Sequence, residues 1–322
     1  MVARMFGLKP ESLQYWYQNF LSDYLPDIAC GKWHPQKIDI VDKSTGEFKE
    51  KPVYIFNKDN IGDKMSIDDK SIGHDGFTIF SNHQTGKIAM MVESTNSEEV
   101  QSAMELFGNE LKKVKNISMD MSATYALVSE NLMPRVTRVI DKYHVLKYVY
   151  DAVSEIRIDI KKSLAENLTK GKKKTEEDKQ ILSELELLRR VRHSVKQPPE
   201  KWNEEMNKTI NQAFDKYSDL KLAYQISQNF RSWYDYQNHK KSSEEIYNDL
   251  YIWYEQAKKL KVFKGVIKMI RKHEDEIVNF FKHGMTNARA ERLNGKIKRF
   301  VTNNYGIKNK DFIIYRMAGY FS

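Results

Sequence analysis

The chain has 322 residues and a mass of 38.0 kDa, which is enough to bury a full core in two domains, or in one domain that carries a long insertion. Its net charge of +9 and pI near 9.2 favour a polyanionic ligand, such as nucleic acid, over an acidic or neutral partner. The single cysteine, Cys30, excludes an internal disulfide and a cysteine-rich zinc site, and no apolar run reaches the roughly 18 residues that span a bilayer, so we expect a soluble, cytoplasmic protein.

The N-terminal segment, residues 1–63, contains part of a helix-turn-helix pattern. Ala3, Gly7 and Leu13 have the spacing of its second half, and a recognition helix would open at Pro10. No residues remain to build the first helix of the motif. Two interpretations stay open: an ordinary amphipathic helix, or a motif whose other half belongs to a separate polypeptide. Residues 33–56 follow, with two short predicted strands around a turn at Gly46.

From Lys64 the pattern changes to strands that alternate with helices. It predicts a strand that ends near Ile67, then a hairpin over residues 78–80 and 87–92 with a tight turn in "NHQTGK". A helix over residues 97–114 follows, then a strand in "VKNISMD", a helix in "SATYALVSENLM" and a strand in "RVTRVI". This order predicts an α/β fold with a mixed central sheet.

Residues 145–284 have a different character. They contain few glycines and few β-branched runs but many Lys, Glu, Leu, Tyr and Trp residues, which predicts a long helical block. It is interrupted at "TKGKKKTEED" and "KQPPEK". Beyond it, the pattern predicts one more helix, a turn at residues 303–306 and a short final helix.

Three acids occupy positions that suit metal chemistry. Asp68 and Asp120 each follow a predicted strand, whereas Glu291 lies on the amphipathic helix "NARAERLNGKIKRF" among several bases. Carboxylates crowded at one rim of a sheet cost free energy unless a cation joins them. A pair of divalent ions would relieve that cost and could hydrolyse a phosphodiester. For Glu291 the alternative is a solvated helix acid that gains support from Lys or Arg one turn away.

Basic residues are concentrated in the segment that ends with the helix of Glu291. Between residues 257 and 300 the sequence has thirteen Lys or Arg residues against four Asp or Glu residues. Such a region would hold phosphates, and its affinity for them should fall steeply with salt.

Three strings together carry a resemblance to a known family: "SIDDKSIGHDGFTIFSNHQTGKI", "ISMDMSATYALVSENLMPRVTRVIDKYHVLKYV" and "NARAERLNGKIKRFVTNNYGIKNKDFIIYRM". In that order they resemble the DDE transposases of the ISL-three insertion-sequence family, and among them the ISAon-one type. The resemblance runs from about Lys64 to the C-terminus. It implies a ribonuclease H-like fold, in which a mixed sheet carries a long all-α insertion between the second and third catalytic acids.

The resemblance assigns roles to individual residues. Asp68, Asp120 and Glu291 correspond to the catalytic triad, which would bind Mg²⁺, with Mn²⁺ as a possible substitute. The family usually has Asp-Glu at its first motif, whereas this chain has Asp68-Asp69, so the motif leaves open which of the two acids binds metal. We assign Asp68 because it directly follows Ile67 at the predicted strand end. Asp69 would then be either an additional acid behind the metal ligands or a residue that caps a turn.

Further residues are assigned on the same basis. Asp141 and His144 match an Asp-x-x-His signature that accompanies the triad, so we expect them behind the metal ligands, where His144 either assists proton transfer or forms a buried hydrogen-bonded pair. The expected DNA contacts lie on the helix of Glu291. They are Arg289, Arg292, Asn294, Lys296, Lys298 and Arg299.

The resemblance also implies a domain organisation. The catalytic core would comprise residues 64–144 and 285–322, and the helical insertion residues 145–284. In related transposases an insertion Trp can stack on a flipped base, and the candidates here are Trp202, Trp233 and Trp253, for which core packing is the alternative. Members of the family usually carry an N-terminal DNA-binding region, and in proteins similar to the ISAon-one type it can be a separate small protein.

The sequence thus predicts a DNA transposase. It would hydrolyse the phosphodiester at the transposon end and then join the freed 3′-hydroxyl to target DNA. We expect double-stranded DNA as the partner, a homo-oligomer on DNA and possibly the separate DNA-binding protein. Two alternatives remain open: a non-catalytic DNA-binding protein derived from a transposase, and a structure-selective nuclease with a ribonuclease H fold.

Overall fold

The structure is a computed structural model that describes residues 2–41, 46–168, 175–285, 288–304, 307 and 309–322, without the side chains at positions 2, 4, 236 and 288–291. The chain divides into two compact units. The sheet unit comprises Met1–Val139 and Met285–Ser322, and the helical unit comprises Ile140–Gly284. The predicted α/β order with a mixed sheet is confirmed, because a seven-stranded sheet contains both parallel and antiparallel pairs.

The strand order in this sheet is β1-β2-β5-β4-β3-β6-β7. The pair β3–β6 is parallel, whereas β1–β2, β2–β5, β4–β5 and β3–β4 are antiparallel. The strands are β1 (Gln36–Val41), β2 (Phe48–Ile55), β3 (Lys64–Ile72), β4 (Asp75–Asn82), β5 (Ile88–Val92), β6 (Asn116–Met119) and β7 (Thr137–Ile140).

The predicted end of the third strand near Ile67 is wrong. Strand β3 continues to Ile72 and pairs along its whole length with β4. The two strands are joined by Gly73 and His74, and Gly73 has a φ of +67°. A glycine with positive φ at the first of two turn residues is typical of a tight hairpin. The exposed Asp69 therefore lies inside a strand, so the expectation that it caps a turn is also wrong.

Helices cover the sheet and precede it. The predicted helix over residues 97–114 is divided, because Gly108 adopts a φ of +52° between α4 and a short 3₁₀ helix. The α-helices of the sheet unit are α1 (Val2–Met5), α2 (Pro10–Trp16), α3 (Tyr24–Ala29), α4 (Ser97–Glu105) and α5 (Ala123–Leu132). Shorter helical segments are Tyr17–Leu21, Lys58–Asn60 and Gly108–Lys113.

The C-terminal part of the sheet unit packs on the same sheet. It consists of two helices whose numbers follow those of the helical unit: α13 (Ala288–Asn303) and α14 (Lys310–Phe321). Their apolar side chains share one buried cluster with residues of the central strands. The cluster includes Tyr54, Ile72, Phe77, Ile79, Met91, Leu293, Ile297, Phe300, Ile314, Met317 and Phe321. Burial of this apolar stripe holds α13 against the sheet.

The described part of the helical unit is helical after Ile140. Its helices are α6 (Lys142–Glu166), α7 (Glu176–Arg190), α8 (Glu204–Lys216), α9 (Ser218–Trp233), α10 (Ser243–Ala257), α11 (Phe263–Lys272) and α12 (Glu274–His283), with short 3₁₀ segments at Ser194–Lys196, Pro199–Lys201 and Tyr236–Lys240. Among the described residues, none of the helices is both long and apolar enough to cross a membrane.

The tryptophans of this unit belong to its core. Trp233 and Trp253 are 7% and 2% exposed, and each ring N–H donates to a backbone carbonyl, at 3.0 Å and 2.9 Å. Trp202 is half-buried and donates to the carbonyl of Ser194 at 3.1 Å. Trp233 and Trp253 therefore serve core packing, which was the alternative to stacking on a flipped base, because a base cannot stack on a ring that other side chains cover.

Candidate active site

Two of the three predicted catalytic acids lie on neighbouring parallel strands. Strands β3 and β6 pair in a register that sets Ser66 opposite Ser118. Asp68 is two residues beyond Ser66, and Asp120 is two residues beyond Ser118 and directly follows β6. The sheet register thus brings Asp68 and Asp120 to the same level of adjacent strands. Because side chains alternate along a strand, Asp68 and Asp69 point to opposite faces of the sheet.

The Asp68 carboxylate is held by three contacts. Its Oδ1 accepts the backbone N–H of Asp69 at 2.8 Å. Its Oδ2 lies 3.1 Å from Nζ of Lys70 and accepts the side-chain amide of Asn294 at 2.9 Å. Lys70 reaches it because residues two apart in a strand share a face. The side chain of Asp68 is 25% exposed, so solvent can reach it.

Asp120 is fixed by the start of the following helix. Its Oδ1 accepts the backbone N–H of Ser122 at 2.8 Å, and α5 begins one residue later at Ala123. Within the described part of the chain, the other oxygen of Asp120 has no hydrogen-bond partner. One oxygen is thus used to orient the carboxylate, and the second is available for a ligand.

Glu291 lies in the first turns of α13, but its side chain is outside the described residues, as is that of Arg289. The position itself is informative. Residues three apart on a helix are neighbours on one face, so position 291 shares a face with Asn294. Since Asn294 donates to Asp68, this is the face of α13 that is directed towards the two aspartates.

The donor set fits a hard divalent cation. Asp68 and Asp120 offer carboxylate oxygens, which are the ligands that Mg²⁺ prefers. Among the residues whose side chains the structure describes, no group of three His, Cys, Asp or Glu residues could hold a metal. Position 291, whose side chain is outside that set, shares a helix face with Asn294.

The predicted DNA contacts occupy two sides of α13. Asn294 and the exposed Lys298 line one groove of about 410 Å³ together with Lys70. Lys296 and Arg299 line a different groove of about 570 Å³. Arg292 precedes Lys296 by four residues, so helical spacing assigns it to the same side as Lys296 and Arg299. Of the predicted contacts whose side chains the structure describes, Asn294 and Lys298 share the face of position 291.

The second groove has further groups that suit a nucleic acid. Arg316 contributes a guanidinium that is held over the rings of Tyr17 and Phe300, at 5.0 Å and 5.6 Å from their centroids, and by Asn304. Tyr320 lies at the edge of this groove and is 74% exposed. A cation near an exposed aromatic ring can bind a phosphate and stack on a base.

The predicted pair Asp141 and His144 belongs to the helical unit. Asp141 caps α6, because its Oδ1 accepts the backbone N–H of Tyr143 at 2.7 Å, and its Oδ2 lies 3.9 Å from Nε2 of His144. Lys142 lies between these two residues in the sequence. Its Nζ is 5.5 Å from the ring centroid of Tyr234 and 5.5 Å from that of Phe280. Burial lowers the pKa of Lys142 from its usual value, although Asp235 opposes that shift.

Sequence reasoning missed Lys70 as a partner of Asp68, and it assigned Asn294 to DNA only. The signal for Lys70 was present in the alternation of "DDKS", but the premature strand end at Ile67 concealed it. No local pattern could reveal the bond between Asn294 and Asp68, because the two residues are 226 positions apart.

In a comparison with protein families, residues 65–317 match the model of the ISL-three DDE transposases, which has the description "Transposase". No curated protein matches the chain. No solved structure matches it either.

Proposed function

Because the chain belongs to the ISL-three family of DDE transposases, we propose that it is the metal-dependent enzyme that cuts and joins the ends of an insertion sequence. The observation that carries this proposal is the bond from Asn294 to Asp68. It ties the helix of Glu291 to the strand of the first aspartate, while the sheet register brings Asp120 to the same level. Three acids from distant parts of the sequence would then share one site.

In this proposal Asp68, Asp120 and Glu291 hold Mg²⁺, for which Mn²⁺ can substitute. Bound there, the ions supply the Lewis acidity that activates water and stabilises the leaving oxygen. The protein contributes orientation and charge. Asn294 orients Asp68, while Lys70 and Lys298 would contact phosphate oxygens beside the scissile bond. Arg289, Arg292, Lys296 and Arg299 would bind the backbone of the flanking DNA.

The reaction has two steps. Water attacks the phosphodiester at the transposon end, and the bond to the 3′ oxygen breaks, which leaves a 3′-hydroxyl and a 5′-phosphate. That hydroxyl then attacks a phosphodiester of the target DNA, and the target's own 3′ oxygen leaves. No covalent enzyme intermediate is required, so no Ser, Tyr or Cys nucleophile is needed.

The finer features of the sequence analysis belong to this proposal. The sheet would be the ribonuclease H-like core, and residues 145–284 would be the insertion between the second and third acids. Asp141 and His144 would support the site without binding metal, whereas Asp69, on the opposite face of the sheet from Asp68, would not take part. We also propose a cytoplasmic homo-oligomer on DNA, similar to the ISAon-one type, with a separate small protein that recognises the transposon ends.

Exposed apolar side chains support such a partner. Near the N-terminus, Phe6, Phe20 and Leu21 are 73%, 70% and 66% exposed. Large apolar side chains grouped at the surface are typical of an interaction site. Helix α2 begins at Pro10 after a turn at Gly7, which has a φ of +64°, as the second half of a helix-turn-helix would require.

The test is a cleavage assay in Mg²⁺ or Mn²⁺ on DNA that carries the element's own ends. Wild type, Asp120→Asn and Glu291→Gln are compared, with and without the small protein encoded upstream. Asp39→Asn is the matched control, because Asp39 is an exposed acid on β1, at the far edge of the same sheet. We expect specific 3′-hydroxyl nicks with wild type and the control. Both site variants should lose at least about 100-fold in rate and still bind DNA.

Three results would contradict the proposal. Cutting that survives in Asp120→Asn or Glu291→Gln would remove these acids from the site. Cutting without strand transfer, and without preference for the ends, would indicate a structure-selective nuclease. DNA binding without any cutting, with or without the small protein, would indicate a non-catalytic DNA-binding protein.

A further inference from the structure

The helical unit contains a basic surface that the proposed active site does not use. Residues 257–272 contain seven Lys or Arg residues and no Asp or Glu residue. Within this segment, α11 buries Phe263, Val266, Ile267 and Ile270. The bases therefore occupy the side of the helix that faces solvent.

Five of these bases line a single groove of about 470 Å³. They are Lys258, Lys261, Lys264, Lys268 and Arg271. Lys264, Lys268 and Arg271 are spaced by four and three residues, which aligns them along one face of α11. We call Lys261, Lys264 and Lys268 the α11 stripe; all three are exposed.

The lysines of the α11 stripe lack acidic partners among the described residues, unlike several other bases of the helical unit. Within the described part of the chain, Lys261, Lys264 and Lys268 form no ion pair or hydrogen bond. Other bases of the helical unit are paired. These pairs are Lys196 with Asp151, Arg190 with Glu205, Lys216 with Glu184, Arg231 with Glu200 and Lys241 with Asp249.

Unpaired like charges one turn apart destabilise a helix. A polyanion that lies along the groove would remove this repulsion. From Lys264 to Arg271, both on α11, a helical rise of 1.5 Å per residue gives roughly 10 Å, a length along which duplex DNA presents several phosphates. The basic surface ends near Lys261, because Glu155, Asp159 and Asp219 line the neighbouring groove that Lys261 borders.

We propose that the α11 stripe is a second DNA-binding surface, which holds the phosphate backbone of a duplex without reading its sequence. Lysine suits this role because it is a point charge on a flexible stem and has no planar fork for base edges. The inference rests on the proposed function, since it assigns the same substrate to a second surface. The helical unit would then bind DNA as well as connect the two parts of the sheet unit.

The test measures the affinity of the full-length protein for a random-sequence duplex at several salt concentrations. The stripe variant is Lys261→Gln/Lys264→Gln/Lys268→Gln. The matched control is Lys201→Gln/Lys208→Gln/Lys221→Gln, which removes the same charge from three exposed lysines of the same unit. In a plot of log K against log salt concentration, the slope for the stripe variant should be smaller in magnitude than that for wild type by about 2 to 3. For the control variant the difference from wild type should be less than about 1.

A second measurement needs no variant. Lysines of wild type are methylated with formaldehyde and a borohydride, with and without the duplex, and the modified residues are identified by mass spectrometry. The α11 stripe should be protected by the duplex, whereas Lys201, Lys208 and Lys221 should react equally in both samples. Equal slopes for the two variants, or equal reactivity of the stripe with and without DNA, would overturn the proposal.

Two arms separate this proposal from others. The duplex assay contains no divalent metal, so it measures binding independently of cleavage. A wild type that binds the duplex through the stripe, but does not cut transposon ends in the Mg²⁺ or Mn²⁺ assay, would refute the proposed enzyme and leave this surface intact. Vesicles of phosphatidylcholine with phosphatidylserine test another polyanion. A stripe variant that loses vesicle binding but keeps its DNA slope would overturn the assignment to DNA in favour of a membrane surface.

Discussion

At the scale of single residues, Lys70 determines the charge that surrounds Asp68. Its ammonium group lies 3.1 Å from the carboxylate oxygen that also accepts the Asn294 amide. A cation this close repels a divalent ion that would bind the same oxygen. Lys70 would therefore weaken metal binding before DNA arrives and become a phosphate ligand once it does.

We predict that Lys70→Gln binds Mn²⁺ several-fold more tightly in the absence of DNA, because a repelling charge is removed. The same variant should cut transposon ends more slowly, since the phosphate loses a contact. Titration calorimetry with Mn²⁺ measures the first effect, and single-turnover cleavage the second. Lys87→Gln is the control, because Lys87 is an exposed lysine in the β4–β5 turn. Weaker Mn²⁺ binding by Lys70→Gln would show that Lys70 organises Asp68 for the metal.

The residues of the site differ in how far sequence could predict them. Asp68 and Asp120 follow apolar strand patterns, so their approach depends on a parallel pairing that the α/β order already favours. Lys70 required the correct strand length, which the Gly73 turn sets. The contact from Asn294 to Asp68 depends on the packing of α13 on the sheet, and no local pattern encodes it.

At the scale of secondary-structure elements, α13 is a helix with three functional sides. One side is apolar and buried, with Leu293, Ile297 and Phe300 in the core of the sheet unit. A second carries position 291, Asn294 and Lys298, and a third carries Arg292, Lys296 and Arg299. The amphipathic period of the sequence predicts the apolar side. Once that side is known to be buried, helical spacing divides the bases between the two remaining sides.

This division gives a prediction that separates cutting from binding. Lys298→Gln should slow cleavage at saturating DNA by about 10-fold or more and barely change affinity, because Lys298 shares the face of Glu291. Arg292→Gln/Lys296→Gln/Arg299→Gln should weaken DNA binding and lower the salt slope by about 2 to 3, with cleavage of bound DNA largely kept. Filter binding and single-turnover cleavage give both values. Equal losses of rate and affinity in the two variants would contradict the two-sided arrangement.

The elements that sequence could not place are those that depend on distant pairing. Strands β1 and β2 were predicted individually, but nothing local indicates that β2 joins β5 of the same sheet. The division of the predicted long helix at Gly108 was also missed. A single glycine in a helical pattern costs only about 1 kcal/mol relative to Ala, so the pattern alone does not show whether the helix tolerates it or ends.

At the scale of the whole molecule, the chain order determines which unit can fold alone. The sheet unit is discontinuous, because Met285–Ser322 must return to strands that were formed from residues before Val139. The helical unit is one continuous segment with its own buried aromatic core. It begins at Ile140, and Lys, Glu and Leu become more frequent from about residue 145.

We therefore predict that residues 140–284 fold by themselves into a helical domain. Its thermal unfolding, monitored by circular dichroism at 222 nm, should show one cooperative transition. Phe230 is buried, and its ring centroid lies 4.7 Å from that of Trp253. Phe230→Ala should lower the free energy of unfolding by about 3–5 kcal/mol, because it removes a ring from this core and leaves a cavity. The exposed control Lys221→Ala should change it by less than about 0.5 kcal/mol. A broad, non-cooperative transition in the isolated segment would mean that the helical unit needs the sheet unit to fold, and that the two arise in one folding event.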